Sequence, residues 1–326
     1  MTRSFLAEAG WSGAAMTPIA GDASARRYTR LARDGDTAIL MQDPDGDTAL
    51  FARLSRHLTS LGLSAPQILA DDHTNGLLLI EDLGDALFAT LSAADPAQET
   101  ALYLAATETL LTLHRQSAPA LDAATPPKLA QMTDLAFDCY LVNATGNVAP
   151  QAKADCIAEF EAALATHAPD TDVMILRDFH AENLIWLPDR VGPARTGLLD
   201  FQDALQGHRA YDLASLLTDA RRDVSRSTAD GVIRHYVTKS GLSDADFRSA
   251  LAVLGAQRNL RILGVFARLA RNGKSQYLNL MHRVWGHLQT DLAHPALAPV
   301  AAILNPVLPP PTPDILARLR LSCPTQ

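Results

Sequence analysis

Two short stretches of this chain carry residues whose types and spacing suit chemistry. The first reads Leu176-Arg177-Asp178-Phe179-His180-Ala181-Glu182-Asn183, and the second Gly197-Leu198-Leu199-Asp200-Phe201-Gln202. An Asp, an Asn five residues on, and a second Asp after an apolar run are the parts that phosphoryl transfer from ATP requires. One carboxylate (Asp178) orients or deprotonates an acceptor hydroxyl; Asn183 and Asp200 would hold Mg²⁺ on the phosphates. Alone, an Asp or Asn more often caps a turn. The ordered set, flanked by strand-forming runs, favours the functional reading.

Those runs are the elements that must position the set. Val173-Met174-Ile175-Leu176 and Leu184-Ile185-Trp186-Leu187 read as buried strands, and Leu198-Leu199 belongs to a third. Pro188, Asp189, Gly192 and Pro193 break the chain between the last two. A hairpin there brings Asn183, at one strand's start, beside Asp200, at the next one's end. Two oxygen ligands completed by water and phosphate oxygens suit an octahedral Mg²⁺.

The catalytic stretch resembles the core of the aminoglycoside phosphotransferase and choline kinase superfamily, which shares the protein-kinase fold. Asp178 and Asn183 match its Asp-x-x-x-x-Asn loop, and Asp200 matches its metal-binding Asp. Asp212, in Arg209-Ala210-Tyr211-Asp212-Leu213-Ala214, resembles the family's buried aspartate that braces the loop. Two departures stand out: Leu176 occupies the place of the usual His, and Gln202 replaces the glycine of Asp-Phe-Gly. The resemblance implies an α+β, bilobal, protein-kinase-like fold, with ATP and Mg²⁺ as cofactors. It also implies a β-rich, nucleotide-binding N-lobe over residues 1–82. A larger helical C-lobe over residues 83–326 would carry the catalytic loop, metal site and acceptor.

The order of elements agrees. Residues 1–16 suit a short leading helix. Gly21 to Leu31 reads as a turn feeding a strand, and Thr37–Met41 as the next strand after the turn Asp34-Gly35-Asp36. Phe51, Leu54, Leu58 and Leu61 recur at helical spacing, giving an amphipathic helix over 48–61. Residues 68–70 and 77–80 flank Asn75-Gly76, a hairpin signal. Glu81-Asp82-Leu83-Gly84 then breaks the strand; in a kinase-like fold its backbone meets the adenine. Helices are expected over 102–114, 131–142 and 151–167 and again from about 208. The proline-rich tail, with Pro306, Pro309-Pro310-Pro311 and Pro313, reads as extended.

The N-terminal half lacks a feature of the protein-kinase fold. No lysine occurs before Lys128, so strand 37–41 has none, and helix 48–61 has no Glu. Both members of the phosphate-gripping ion pair are missing together. Arg26, Arg27 and Arg30 are the available cations. Arg26 or Arg27, with backbone N–H groups around Gly21 and Ser24, is expected to take the phosphates. The competing reading makes these arginines solvated strand residues.

Two further motifs narrow the acceptor. Gly21-Asp22-Ala23-Ser24-Ala25-Arg26-Arg27-Tyr28 and the segment Gln257 to Arg268 are similar to bacterial cell-wall sugar kinases, which phosphorylate the anomeric hydroxyl of N-acetylmuramate and N-acetylglucosamine. With the core between them, the resemblance spans most of the chain. Arg258, Arg261 and Arg268 share one helix face. They form either a solvated basic face or a site where Arg258 or Arg261 meets a substrate carboxylate bidentately. Gln202, Asp203 and Tyr211 lie close in sequence to the metal strand and could touch sugar hydroxyls. An aminoglycoside or other small-alcohol phosphotransferase and a nucleotide-binding pseudokinase remain alternatives. Polycationic aminoglycosides would call for an acidic acceptor site, whereas arginines predominate here.

Composition bounds the rest. A 326-residue chain, 48% hydrophobic and 20% charged, suits a two-lobed globular protein. Its net charge of −8 argues against broad nucleic-acid binding. Cys139, Cys156 and Cys323 show neither metal spacing nor a disulfide framework, which suits a reducing cytoplasm. Neither a signal peptide nor a membrane span is expected. Asn272-Gly273-Lys274-Ser275 ends like a phosphate loop but has Arg268 at the early glycine position and follows a helix. The run Asp43–Asp47 begins like a calcium loop but continues as an acidic turn.

Overall fold

The computed structural model describes residues 1–19 and 26–321, so Gly21 and Ser24 lie outside the described residues. The chain divides into two compact units. One comprises Met1–Leu113 with Ala181–Asp203; the other comprises His114–His180 with Ala204–Gln326. This division by packing runs differently from a lobe boundary at residue 82, because the hairpin bearing Asn183 and Asp200 belongs to the first unit.

The first unit is built on an antiparallel sheet of β1 (Ala15–Ile19), β2 (Arg27–Arg33), β3 (Asp36–Gln42), β4 (Ile68–Asp72) and β5 (Leu77–Glu81), in the order β1-β2-β3-β5-β4. β1 was not evident in the sequence: its residues are all exposed, so it carries no alternating pattern. Arg33 pairs with Asp36 across a two-residue turn whose residues both have positive φ, Asp34 at 54° and Gly35 at 94°. That is the turn whose twist matches a hairpin, and Asp-Gly suits it. Asn75-Gly76 joins β4 to β5 differently. His73–Asn75 forms a 3₁₀ turn capped by the Asp72 side chain, and only Gly76 is left-handed. Gly76 is required there twice over, since a Cβ would also lie 2.5 Å from the Asp43 carbonyl. The close approach lets Asp43 N–H donate to the Gly76 carbonyl at 2.8 Å, which fixes the chain just after β3.

Helix α1 (Thr2–Glu8) lays Phe5 and Leu6 against Leu31, Ala38, Leu40, Leu77 and Leu79 on one face of the sheet. Helix α2 (Thr48–Ser60) starts at Asp47, whose side chain accepts from Leu50 N–H, and buries Phe51, Leu54 and Leu58 along one stripe. Two helices, α3 (Phe88–Ala94) and α4 (Glu99–Leu113), complete the N-terminal part of the unit.

The second unit is largely helical: α5 (Pro126–Gln131), α6 (Val142–Thr145), α7 (Pro150–His167), α8 (Tyr211–Leu217), α9 (Arg226–Ser240), α10 (Asp244–Arg271), α11 (Met281–Leu292), α12 (Ala298–Leu304) and α13 (Pro313–Leu321). The helix expected over 131–142 is interrupted; residues Ala136–Leu141 wind as a π turn before α6. There α10 comes so close that a Cβ on Gly264 would sit 2.3 Å from the Leu135 carbonyl carbon. The tail is not extended throughout. Pro313 starts α13, and Thr312 Oγ1 accepts from Ile315 N–H at 3.4 Å. Proline suits a helix's first turn, where its missing N–H costs nothing. None of the described helices is long and apolar enough to cross a membrane.

Candidate active site

The hairpin read from the sequence forms. Strand β6 (Val173–Ile175) pairs with β9 (Leu205–Gly207) in the second unit, and β7 (Leu184–Trp186) with β8 (Thr196–Leu198) in the first. β9 was missed, since three residues ending in glycine carry no strand signal. Leu184 faces Leu198, and Leu199 N–H donates to the Asn183 carbonyl at 2.9 Å. Asn183 therefore stands beside the residue preceding Asp200. Phe201 anchors this end, its ring 4.7 Å from that of Phe51 on α2. Asp200 has φ of 56°, a left-handed conformation that Asp tolerates better than most side chains.

Asp200 Oδ1 accepts from Gln202 Nε2 at 2.7 Å and faces Arg26 Nη1 at 3.5 Å. Arg26 also donates through Nε to Asp43 at 2.8 Å, and Asp43 is only 7% exposed. Burial alone would lower the Arg26 pKa, but the bond to Asp43 and the neighbouring Tyr28 raise it above its ordinary value. A cavity of about 110 Å³ opens beside the pair, lined by Arg26, Met41, Asp43, Asp47, Phe51 and Gln202, among others. Arg27 is exposed on β2. From the sequence alone Asp43 reads as part of an acidic turn, and its place beside Arg26 is not evident there. Its position directly after the buried run of β3 was the available signal.

The carboxylates expected near the adenine are engaged within the protein. Glu81 accepts from Arg190 and from Gln67 N–H; Asp82 pairs with Arg30 Nε at 2.7 Å and accepts from Gly84 N–H. Any role of this segment toward a nucleotide falls to its backbone.

In the second unit, the segment before Asp178 is held tightly. Asp212, at the start of α8, is fully buried and accepts from Leu176 N–H at 2.6 Å and Arg177 N–H at 2.8 Å. Burial pushes its carboxyl up to about 6 despite those two bonds, and the charge of Asp178 pushes the same way. Arg177 has φ of 71°, and Asp178 N–H donates to the Leu176 carbonyl at 2.9 Å. An i-to-i+2 bond across a residue of positive φ is a γ-turn of the strained kind. Such conformations cost about 1–3 kcal/mol and persist where surroundings over-determine them. His180 is buried beside Arg221, and burial drives its pKa down to about 3. It stays neutral around pH 7 and carries no charge for catalysis.

The three arginines of α10 have different environments. Arg258 is 9% exposed, donates to the Arg177 carbonyl at 3.1 Å and Ser215 Oγ at 2.6 Å, and stacks 4.8 Å from the Tyr211 ring. Arg268 is exposed. Arg261, one turn on from Arg258, is half-buried, and its guanidinium has no hydrogen-bond or ion-pair partner among the described residues. Burial lowers its pKa, with Tyr211, Arg177, Arg258 and Asp178 all close enough to act on it.

The first unit carries Asn183 and Asp200 on one hairpin with a cation at Asp200, and the second carries Asp178 after a braced turn; these are residue types that phosphoryl transfer uses. The model of the phosphotransferase enzyme family matches residues 15–250. The chain belongs to that family. A curated N-acetylmuramate/N-acetylglucosamine kinase of Caulobacter vibrioides is 36% identical, covering 94% of this chain and 95% of its own length. Its counterpart in Pseudomonas aeruginosa is 31% identical over 92% and 91%. A solved choline/ethanolamine kinase family protein from Mesorhizobium loti shares the fold at a TM-score of 0.63, with 16% identity and 98% of each chain covered. The fold of this phosphotransferase is the protein-kinase-like α+β fold, and the enzyme uses ATP to phosphorylate a hydroxyl group.

Proposed function

We propose that this phosphotransferase transfers the γ-phosphoryl group of ATP to the anomeric hydroxyl of N-acetylmuramate and N-acetylglucosamine, in the cytoplasm, within cell-wall recycling. The carrying observation is the β7–β8 hairpin, which sets Asn183 beside Leu199-Asp200 while Arg26 reaches Asp200. Relatives bearing that kinase name, matched over nearly their whole length, support the acceptor.

The chain's own groups would divide the work as follows. Asp178 accepts the acceptor hydroxyl's proton or orients the hydroxyl for attack. Arg26, aimed by Asp43, places positive charge where phosphate oxygens gather, the task that the absent strand lysine would otherwise perform. Asn183 and Asp200 offer an amide oxygen and a carboxylate, a donor set that fits Mg²⁺. Bound there, Mg²⁺ would neutralise charge on the phosphate oxygens. Residues 1–82 serve the nucleotide, and the acceptor binds within 83–326. Gln202 is a candidate contact to sugar hydroxyls; Tyr211, expected in the same role, is only 2% exposed with Arg258 against its ring, which leaves it little surface for a sugar.

Phosphorus NMR of reactions with ATP, Mg²⁺ and a panel of N-acetylmuramate, N-acetylglucosamine and aminoglycosides tests this. A product signal coupled to the anomeric proton of the amino sugars, abolished by chelator, is expected. Phosphorylation of aminoglycosides alone, or ATP binding without any product, would refute it.

A further inference from the structure

The γ-turn at Arg177 is gripped from both sides. On its N–H side, Asp212 takes the donors of Leu176 and Arg177. On its carbonyl side, two donors converge on one oxygen: Ser215 Oγ at 3.1 Å and Arg258 Nη1 at 3.1 Å. Arg258 Nη2 also donates to Ser215 Oγ at 2.6 Å, closing a small ring of hydrogen bonds around that carbonyl. Ser215 lies three residues after Asp212 on α8, so one helix face supplies both halves of the grip. Arg258 comes from α10, with its guanidinium carbon 4.8 Å from the centre of the Tyr211 ring.

We infer that Arg258, acting with Ser215, is a positioning residue for the reaction: it locks the Arg177 peptide in its left-handed turn and thereby sets the direction of Asp178. The inference rests on the assignment of Asp178 as the group that handles the acceptor proton. A residue of positive φ other than glycine relaxes toward ordinary backbone when its restraints are removed. The peptide bond joins Arg177 directly to Asp178, so relaxation swings the carboxylate away from its working direction. A fixed planar fork suits the role better than a flexible ammonium, because it meets two acceptors at once. On this account Arg258 is spent on the loop, and its truncation shows in turnover rather than in acceptor affinity.

The test is a double-mutant cycle on the full-length enzyme, reading kcat and both KM values. Arg258→Ala should lower kcat between about 10- and 100-fold, the penalty of a misplaced catalytic group. The acceptor and ATP KM values should change less than about 2-fold, the additivity error of independent sites. In an Asp178→Asn background the same substitution should cost almost nothing more, because its effect passes through the lost carboxylate. Arg258→Lys should recover part of the loss, and Ser215→Ala should lose kcat without adding fully to Arg258→Ala. Ser215→Ala and Arg258→Lys also serve if the alanine variant fails to fold. A loss confined to acceptor KM, or one that multiplies undiminished in the Asp178→Asn background, would overturn the inference. Full activity of Asp178→Asn itself would instead overturn the catalytic assignment, so the two failures are distinguishable.

Discussion

Arg26 faces Asp200 across 3.5 Å while its Nε is held by Asp43 at 2.8 Å. The pair links a cation just before β2 to the carboxylate at the end of the β7–β8 hairpin. It supplies an ion pair in a fold whose β3 strand has no lysine and whose α2 helix has no Glu. The buried partner, Asp43, comes from the residue just after β3 instead of from the helix.

If Arg26 serves the phosphates, Arg26→Ala should raise the ATP KM by about tenfold or more, in line with ~1.5–3 kcal/mol for a hydrogen bond to a charged group. Asp43→Ala should act in the same direction, since it frees the guanidinium from its aim. Arg27 is exposed on β2, so Arg27→Ala should leave the ATP KM near its wild-type value. Steady-state kinetics at varied ATP decides. The opposite ranking of Arg26 and Arg27 would move the anchor to the other residue.

Asp178→Asn should cut kcat by about 10²–10⁴-fold, the usual worth of general-base assistance. Nucleotide affinity, measured by calorimetry or fluorescence, should survive. Equal mild losses in both would deny Asp178 its role. His180 makes a poor substitute base, since burial lowers its pKa to about 3 and so weakens its hold on a proton.

Much of this was legible in the sequence, and the limits have physical causes. Asn183 and Asp200 could be paired because apolar runs and breakers bracket them, which is local information. The strained turn at Arg177 and its grip were not legible. They depend on Asp212, Ser215 and Arg258 arriving from 35 to 81 residues away. Helical spacing grouped Arg258, Arg261 and Arg268 on one face of α10, but spacing carries no information on what lies opposite. One arginine is bonded to the loop, one is half-buried, and one is exposed. β1 and β9 were invisible because neither alternates in burial.

Stability should respond to pH through two buried groups with opposite signs. Burial pushes the Asp291 carboxyl on α11 up to about 8, although Asn259 donates to it at 3.1 Å. The folded state keeps that proton where the unfolded chain, near 3.9, has lost it. Its contribution is full below pH 4 and drains away as pH climbs through 8. Burial lowers His114 to about 3, with Tyr236 Oη 2.7 Å from its Nδ1. Its contribution is full above about 6.5 and is lost as pH falls toward 3. Asp291→Asn should therefore gain in thermal midpoint over wild type more at pH 9 than at pH 5. A pH-independent difference would place Asp291 near its ordinary pKa.

If Arg261 meets the acceptor, it should discriminate between the two amino sugars of the proposed reaction. Its guanidinium is half-buried near Asp178, its pKa lowered by desolvation, and among the described residues nothing pairs with it. A desolvated cation gains most from an anionic ligand, and the guanidinium fork binds carboxylate bidentately. N-acetylmuramate carries a lactyl carboxylate that N-acetylglucosamine lacks. Arg261→Ala should lower kcat/KM for N-acetylmuramate by about tenfold or more, leaving N-acetylglucosamine within about 2-fold. Arg258→Ala should instead reduce both acceptors by the same factor, since it acts on the loop that serves either. Competition between the two sugars in one reaction reads the ratio directly. A ratio unmoved by Arg261→Ala would remove the residue from acceptor recognition, and a ratio moved by Arg258→Ala would transfer that role to its neighbour one turn back.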